Sequence, residues 1–153
     1  MNEKLDETDR RLLRCLQDDA SVSMDELAAR ANLSRNACWR RVKRMEQRRI
    51  IRGRVALVDP EALGLGLSVF VIVRTNAHEK DWLERFEEAV HTLPEILGAH
   101  RMSGDIDYVL RLRVASVRDY DRFYQRLIAK IPIADISASF VMEDIKDTTA
   151  LPV

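Results

Sequence analysis

Cysteine is scarce in this chain, with only Cys15 and Cys38 among 153 residues. The two form no CxxC pair and are too few for a disulfide framework, which fits a reducing compartment. Both are expected to be small buried apolar side chains. Long apolar runs are lacking as well. No stretch approaches the ~18 consecutive apolar residues of a membrane span, and the amino-terminal MNEKLDETDRR has no apolar core of the signal-peptide kind. The expectation is a cytoplasmic protein with no membrane partner. Repeats and low-complexity tracts are missing, and so are catalytic signatures: there is no HExxH, GxSxG or P-loop. His78, His91 and His100 have no metal-ligand spacing with each other, and neither cysteine has a neighbouring histidine. No enzyme, metal or cofactor is expected.

Net charge is lacking too, but only by cancellation. Residues 1–60 hold 14 basic and 10 acidic side chains, whereas residues 61–153 hold 11 and 15, so a front half of +4 offsets a back half of −4. Within the front half, LSRNACWRRVKRMEQRRIIRGRV carries nine Lys or Arg between Arg35 and Arg54 against the single acid Glu46. A segment this basic is suited to a polyanion.

The front half predicts three helices. Leu5, Leu12, Leu13 and Leu16 recur at helical spacing, giving a first helix from about Thr8, its cap, to Asp18. Ser23 and Glu26 have the spacing of a capping box for a short second helix. Ser34 caps a third, in which Cys38, Val42 and Met45 form the buried stripe while Asn36, Arg40, Lys43, Arg44 and Gln47 face away. Trp39 flanks that outer face, placed either to pack on the first helix or to stack on a base. The alternating IIRGRVALVDP then predicts a hairpin turning near Gly53, with Arg52 and Arg54 at its tip. Three short helices and a basic hairpin describe a winged helix-turn-helix over residues 1–60, whose third helix enters a DNA major groove while the wing meets phosphate. Guanidinium suits guanine and an Asn amide suits adenine. The predicted DNA-binding set is Ser34, Arg35, Asn36, Arg40, Arg41, Lys43, Arg44, Arg52 and Arg54, with double-stranded DNA as partner.

Beyond Asp59-Pro60, a turn signal, residues 61–153 predict strand, helix, strand, strand, helix, strand, the order of a ferredoxin-like antiparallel sheet with both helices on one side. Leu67, Val69, Val71 and Val73 form one apolar face of the first strand, and Phe70 and Ile72 form a second. Helices cover only one face, so the second is expected to meet another subunit in a homodimer. The segment MSGDIDY, Met102 to Tyr108, predicts a hairpin turn; its two carboxylates, Asp105 and Asp107, are also suited to the amino group of a small zwitterion.

The whole chain resembles the leucine-responsive regulator and asparagine-operon regulator (Lrp/AsnC) family of prokaryotic transcription factors. The carriers are LDETDRRLLRCLQDDASVSMDELAARANLS, CWRRVKRMEQRRIIRGRVALVDP, MSGDIDYVLRLRV and ASFVMEDIKDTTALPV. The resemblance implies an α+β chain in which the winged helix-turn-helix is followed by a ferredoxin-like sensing domain. It further implies dimers that assemble up to octamers and a small amino-acid effector bound between sensing domains. It places Met102, Gly104, Asp105, Asp107, Tyr108, Ser139 and Phe140 at the effector site. Where the family commonly has Thr or Ser followed by Pro, this chain has Arg35-Asn36-Ala37, so base preference does not carry over. The middle segment and the tail IKDTTALPV look most like the branch with the cysteine-detoxification regulator, implying L-cysteine. The rival readings are a DNA-binding oligomer with no effector and, from another class, a catalytic or ligand-binding ferredoxin-like protein.

Overall fold

The computed structural model describes residues 4–75 and 80–153; His78 therefore lies outside the described residues. The chain divides into two compact units, one comprising residues up to Leu57 together with Lys146–Val153, the other Val58–Ile145. The sequence places a boundary at residue 60; in the structure the last eight residues pack with the first unit.

The first unit contains α1 (Glu7–Asp18), α2 (Met24–Arg30) and α3 (Arg35–Gln47). Its core is formed by Leu12, Leu13, Leu27, Ala28, Ala31, Cys38, Val42 and Met45, so the stripe expected on α3 is the one buried. α1 begins two residues earlier than its sequence suggests: the cap is Asp6, not Thr8, and its Oδ1 accepts from the Asp9 backbone N–H at 2.7 Å. Ser23 and Ser34 cap α2 and α3 as expected, accepting from Glu26 and Ala37.

α2 and α3 end alike. After α2, Asn32 stands at φ 54°, with Asn32 N–H bonded to Ala29 O and Leu33 N–H to Ala28 O. After α3, Arg49 stands at φ 55°, with Arg49 N–H bonded to Glu46 O and Ile50 N–H to Met45 O. Both are Schellman closures, which satisfy orphan carbonyls and reverse the chain sharply.

The expected hairpin does not form. Residues 52–59 are exposed and take part in no strand, with Val55 at 81% and Leu57 at 75% exposure. A two-stranded ribbon is marginal in isolation, and this segment pairs with no other strand.

The second unit is a four-stranded antiparallel sheet of order β2-β3-β1-β4, built from β1 (Leu67–Arg74), β2 (Ile96–Arg101), β3 (Tyr108–Val114) and β4 (Asp135–Phe140). α4 (Lys80–Thr92) and α5 (Val117–Lys130) supply the helical layer. Val69, Val71 and Val73 are fully buried with Leu110, Leu112, Phe86, Phe123 and Leu127, whereas Phe70, on the other face of β1, is 41% exposed. The strand is thus apolar on both sides and covered on one. On the open face, Phe70 and Ile72 lie beside Val109 and Arg111 of β3 and Ser137 and Ser139 of β4. The apolar strip there is narrow and flanked by polar residues.

Candidate DNA interface and effector site

Capping by Ser34 starts α3, and burial of Cys38, Val42 and Met45 fixes its rotation. What remains outside is a stripe of Arg35, Asn36, Trp39, Arg40, Lys43 and Gln47, all exposed. Trp39 is 53% exposed, so its ring stands largely in solvent. Burial pushes the Cys38 thiol above its ordinary value, with nearby Cys15 adding to the effect, so Cys38 is a protonated core side chain.

The basic residues of α3 divide by what they touch. Asp9, 1% exposed, accepts from Arg41 Nη1 at 2.8 Å and from Arg44 Nη2 at 2.9 Å. Arg41 Nη1 also reaches Asp6 Oδ2 at 2.7 Å. These hydrogen bonds hold the Asp6 carboxyl below its ordinary range, chiefly through the Asp9 backbone and then through Arg41. Arg41 and Arg44, expected at the interface, thus also tie α3 to α1 while remaining partly exposed. Arg54 is tied to Glu46 at 3.1 Å, Lys43 to the same carboxylate at 3.4 Å, and Arg35 loosely to Asp25 at 3.6 Å. Asn36, Arg40 and Arg52 make no ion pair or side-chain hydrogen bond among the described residues and are open to a partner. The clamp escaped the sequence reading because Asp9 and Arg44 are 35 positions apart.

In the second unit, Met102 to Tyr108 closes the β2-β3 hairpin, with Gly104 at φ 110°, a backbone region open to glycine. Met102 N–H donates to Asp107 O at 2.8 Å. The two carboxylates differ: Asp107 Oδ2 accepts from Thr75 N–H at 2.8 Å and so ties the turn to the end of β1, while the Asp105 side chain is exposed. Arg74 donates to Asp105 O at 3.2 Å and pairs with Asp135 at 2.6 Å, bracing the same end of the sheet. Tyr108 is 9% exposed and packs on Phe86 and Trp82, with ring centroids 4.4 and 5.7 Å away.

Ser139 and Phe140 are not brought to this turn. Val73 pairs with Tyr108 on one side and Ile136 on the other, so Ser139 lies three residues further along β4. That amounts to about 10 Å along the strands and two strand spacings, roughly another 10 Å, across them. The two also point to opposite faces: Ser139 pairs with exposed Phe70, whereas Phe140 pairs with buried Val69 and meets Tyr120 of α5 edge-on at 5.3 Å. One protomer alone does not assemble the seven expected effector residues. Among the described residues, no group of three or more His, Cys, Asp or Glu could hold a metal ion, and no helix is long and apolar enough to cross a membrane.

Residues 5–52 match the family described as winged helix-turn-helix DNA-binding, and residues 68–151 match the Lrp/AsnC ligand binding domain. The DNA-binding transcriptional activator DecR of Escherichia coli K12 is 47% identical over 150 residues, covering 97% of this chain and 99% of the relative. The glutamate uptake regulatory protein of Zymomonas mobilis is 45% identical over 152 residues, covering 99% and 93%. A transcriptional regulator of Neisseria meningitidis, solved as its L-Met complex, superposes with a TM-score of 0.93 at 35% identity, covering 97% of each chain.

Proposed function

This chain belongs to the Lrp/AsnC family of transcriptional regulators, and on that premise we propose that it binds double-stranded DNA and adjusts that binding to the level of an amino acid. The observation that carries the DNA half of the reading is the exposed stripe on α3, in which Asn36 and Arg40 stand free of internal partners beside Lys43. Asn36 and Arg40 read base edges, Lys43 and Arg52 contact phosphate, and Arg41 and Arg44 hold the helix at its angle through Asp9. Ser34 and Arg35 at the start of α3 and Arg54 beyond its end belong to the same proposed surface. A regulator of this kind works beside the chromosome, in the cytoplasm.

A homodimer follows from the sheet. Phe70, Ile72 and Val109 form an apolar strip that the helices leave open, and a second copy covers it while supplying a second DNA-binding head. The separation of Gly104 from Ser139 gives further reason for assembly up to octamers, since the effector residues Met102, Gly104, Asp105, Asp107, Tyr108, Ser139 and Phe140 come together only between protomers.

L-cysteine is the effector that the middle segment and tail favour. The names of two relatives point elsewhere, one to glutamate uptake and one to an L-Met complex, so a search has to cover every amino acid. A second reading, an oligomer that binds DNA without an effector, draws on the same separation of Ser139 from the turn.

The test of the DNA half is Arg40→Ala measured against a panel of single-base variants of a footprinted site. A reading contact costs about 1–3 kcal/mol and relaxes discrimination at one base pair. Unchanged affinity on every sequence would remove Arg40 from the interface.

A further inference from the structure

The exposed stripe of α3 carries one side chain to which the DNA-binding reading gives no task. Trp39 stands among Arg35, Asn36, Arg40 and Lys43, all of them exposed and polar. Its indole N–H has no acceptor among the described residues, and the ring contacts of the described residues all lie in the second unit. Singly exposed apolar side chains are ordinary on a surface; what distinguishes Trp39 is its place. At ~100° per residue it lies about 60° around α3 from Asn36 and about 40° from Lys43, so it shares their face. Three residues from Asn36, at ~1.5 Å each, amount to about 4.5 Å along the axis, close to the ~3.4 Å between successive base pairs. With Asn36 at one base pair of a major groove, Trp39 meets the same pair or the next.

The chemistry of the stripe narrows the target. Asn36 and Arg40 offer hydrogen bonds, suited to adenine and guanine edges, whereas the carbon edge of an indole offers none. Among the groups that base pairs present in the major groove, the 5-methyl of thymine is the apolar one, and it is read by apolar contact. An adenine held by Asn36 brings a thymine with it in the same pair. Stacking, the other use of an exposed ring, needs a base drawn out of the duplex, and a helix lying in the major groove leaves the bases stacked. Arg35 and Lys43, four residues to either side, put positive charge at both edges of the ring and hold this apolar patch against a polyanion.

We propose that Trp39 is a specificity-determining residue of the DNA interface, and that its indole contacts the 5-methyl group of one thymine in the major groove. The inference rests on the DNA-binding reading above and adds to it a contact that hydrogen-bonding side chains cannot make. The chain then prefers thymine at one position of its site over uracil, which differs from thymine by that methyl alone.

The test uses the full chain and a duplex that it selects from a random-sequence library. Each thymine of that duplex is replaced in turn by deoxyuridine, which deletes the methyl and keeps the base pair, and affinity is read by fluorescence anisotropy of labelled DNA. Wild type is expected to lose about fourfold at one thymine, the worth of one buried methyl group. Trp39→Ala is expected to bind the thymine duplex more weakly and to lose nothing further on that replacement, while Trp39→Leu, which keeps an apolar tip, recovers part of the difference. An unchanged circular-dichroism melt shows that both surface variants fold. A Trp39 that only steadies α3 would lower affinity for both duplexes equally, so the methyl dependence would survive in Trp39→Ala. That result, or a wild type indifferent to every replacement, overturns the proposal and leaves the DNA-binding reading standing. A wild type that selects no duplex overturns both. The unsubstituted protein supplies a second readout. Trp39 and Trp82 are its only tryptophans and Trp82 is 5% exposed, so acrylamide quenching of the free chain reports Trp39. That quenching is expected to disappear on the selected duplex, and its persistence in the complex also overturns the proposal.

Discussion

The side-chain amide of Gln17 exchanges two hydrogen bonds with the backbone of Leu151: Leu151 N–H donates to Gln17 Oε1 at 2.7 Å, and Gln17 Nε2 donates to Leu151 O at 3.1 Å. Beside it, Arg14 donates to Val153 O at 2.8 Å. The tail thereby becomes a fourth piece of the DNA-binding unit, lying with Leu5, Leu13, Leu16 and Ile50 around an apolar cavity. Because both ends of the chain build this unit, it is joined covalently to the sensing unit twice, after Leu57 and after Ile145.

Replacing Gln17 with Ala removes both bonds. Since the pair is exposed, the expected loss is about 0.5–1.5 kcal/mol from the first unit. Urea unfolding checks the size, and hydrogen exchange at the Leu151 amide checks the cause, since that proton is predicted to lose its protection.

Asp9 is the more consequential acid. It is buried and accepts from two guanidiniums, so Asp9→Ala takes from Arg44 its carboxylate partner, leaves Arg41 with Asp6 alone, and is expected to cost about 1.5–3 kcal/mol. The same variant frees α3 to change its angle. Weaker DNA binding than the stability loss explains is predicted, and is measured on protein that circular dichroism shows to be folded.

At Arg49 the backbone adopts a left-handed conformation that disfavours a Cβ. Arg49→Gly relieves it and is expected to raise the thermal midpoint, by about 0.5–1 kcal/mol of stability after the greater unfolded-state entropy of glycine is counted. A fall in the midpoint would mean that the Arg49 side chain contributes more than its backbone costs.

Acid weakens the fold in a specified direction. Asp6, Glu7, Asp19 and Asp119 are all held below their ordinary carboxyl values, by the Asp9 backbone, Arg14, the Ser21 side chain and the Ser116 side chain respectively as the leading causes. A carboxyl with a depressed folded pKa contributes stability above its unfolded value and loses it as pH falls through the folded one. Urea midpoints are therefore predicted to be level near neutrality and to drop below about pH 4. Asp6→Asn should flatten part of that drop.

Much of this was legible in the sequence because it is local. Ser23 and Ser34 announce two caps, Cys38, Val42 and Met45 announce a buried stripe at helical period, and the alternation Val69, Val71, Val73 gives the buried face of β1. The misreadings share one physical origin. Thr8 and Asp6 are both competent caps, and the choice falls to Asp6 because Arg41, far along the chain, secures its carboxylate. Trp39 has two places open to it in the sequence, and its 53% exposure leaves its ring at the surface. The alternation through Ile51 to Val58 is real, but a strand needs a neighbour and this segment has none. At the candidate effector site the turn was visible in Gly104 and Asp107; the distance of Ser139 and Phe140 from it follows from the strand order β2-β3-β1-β4, which no local pattern announces.

The central claim joins DNA binding to an amino acid, and the most direct measurement is the DNA affinity of the full chain with each of the twenty amino acids present in turn, cysteine kept reduced. A coupled regulator shifts that affinity for one amino acid by about 5–150-fold, the ordinary range of a coupling free energy, and the bound DNA shifts the affinity for that amino acid by the same factor. An affinity for DNA that stays the same in all twenty would contradict the account and leave a DNA-binding oligomer with no effector.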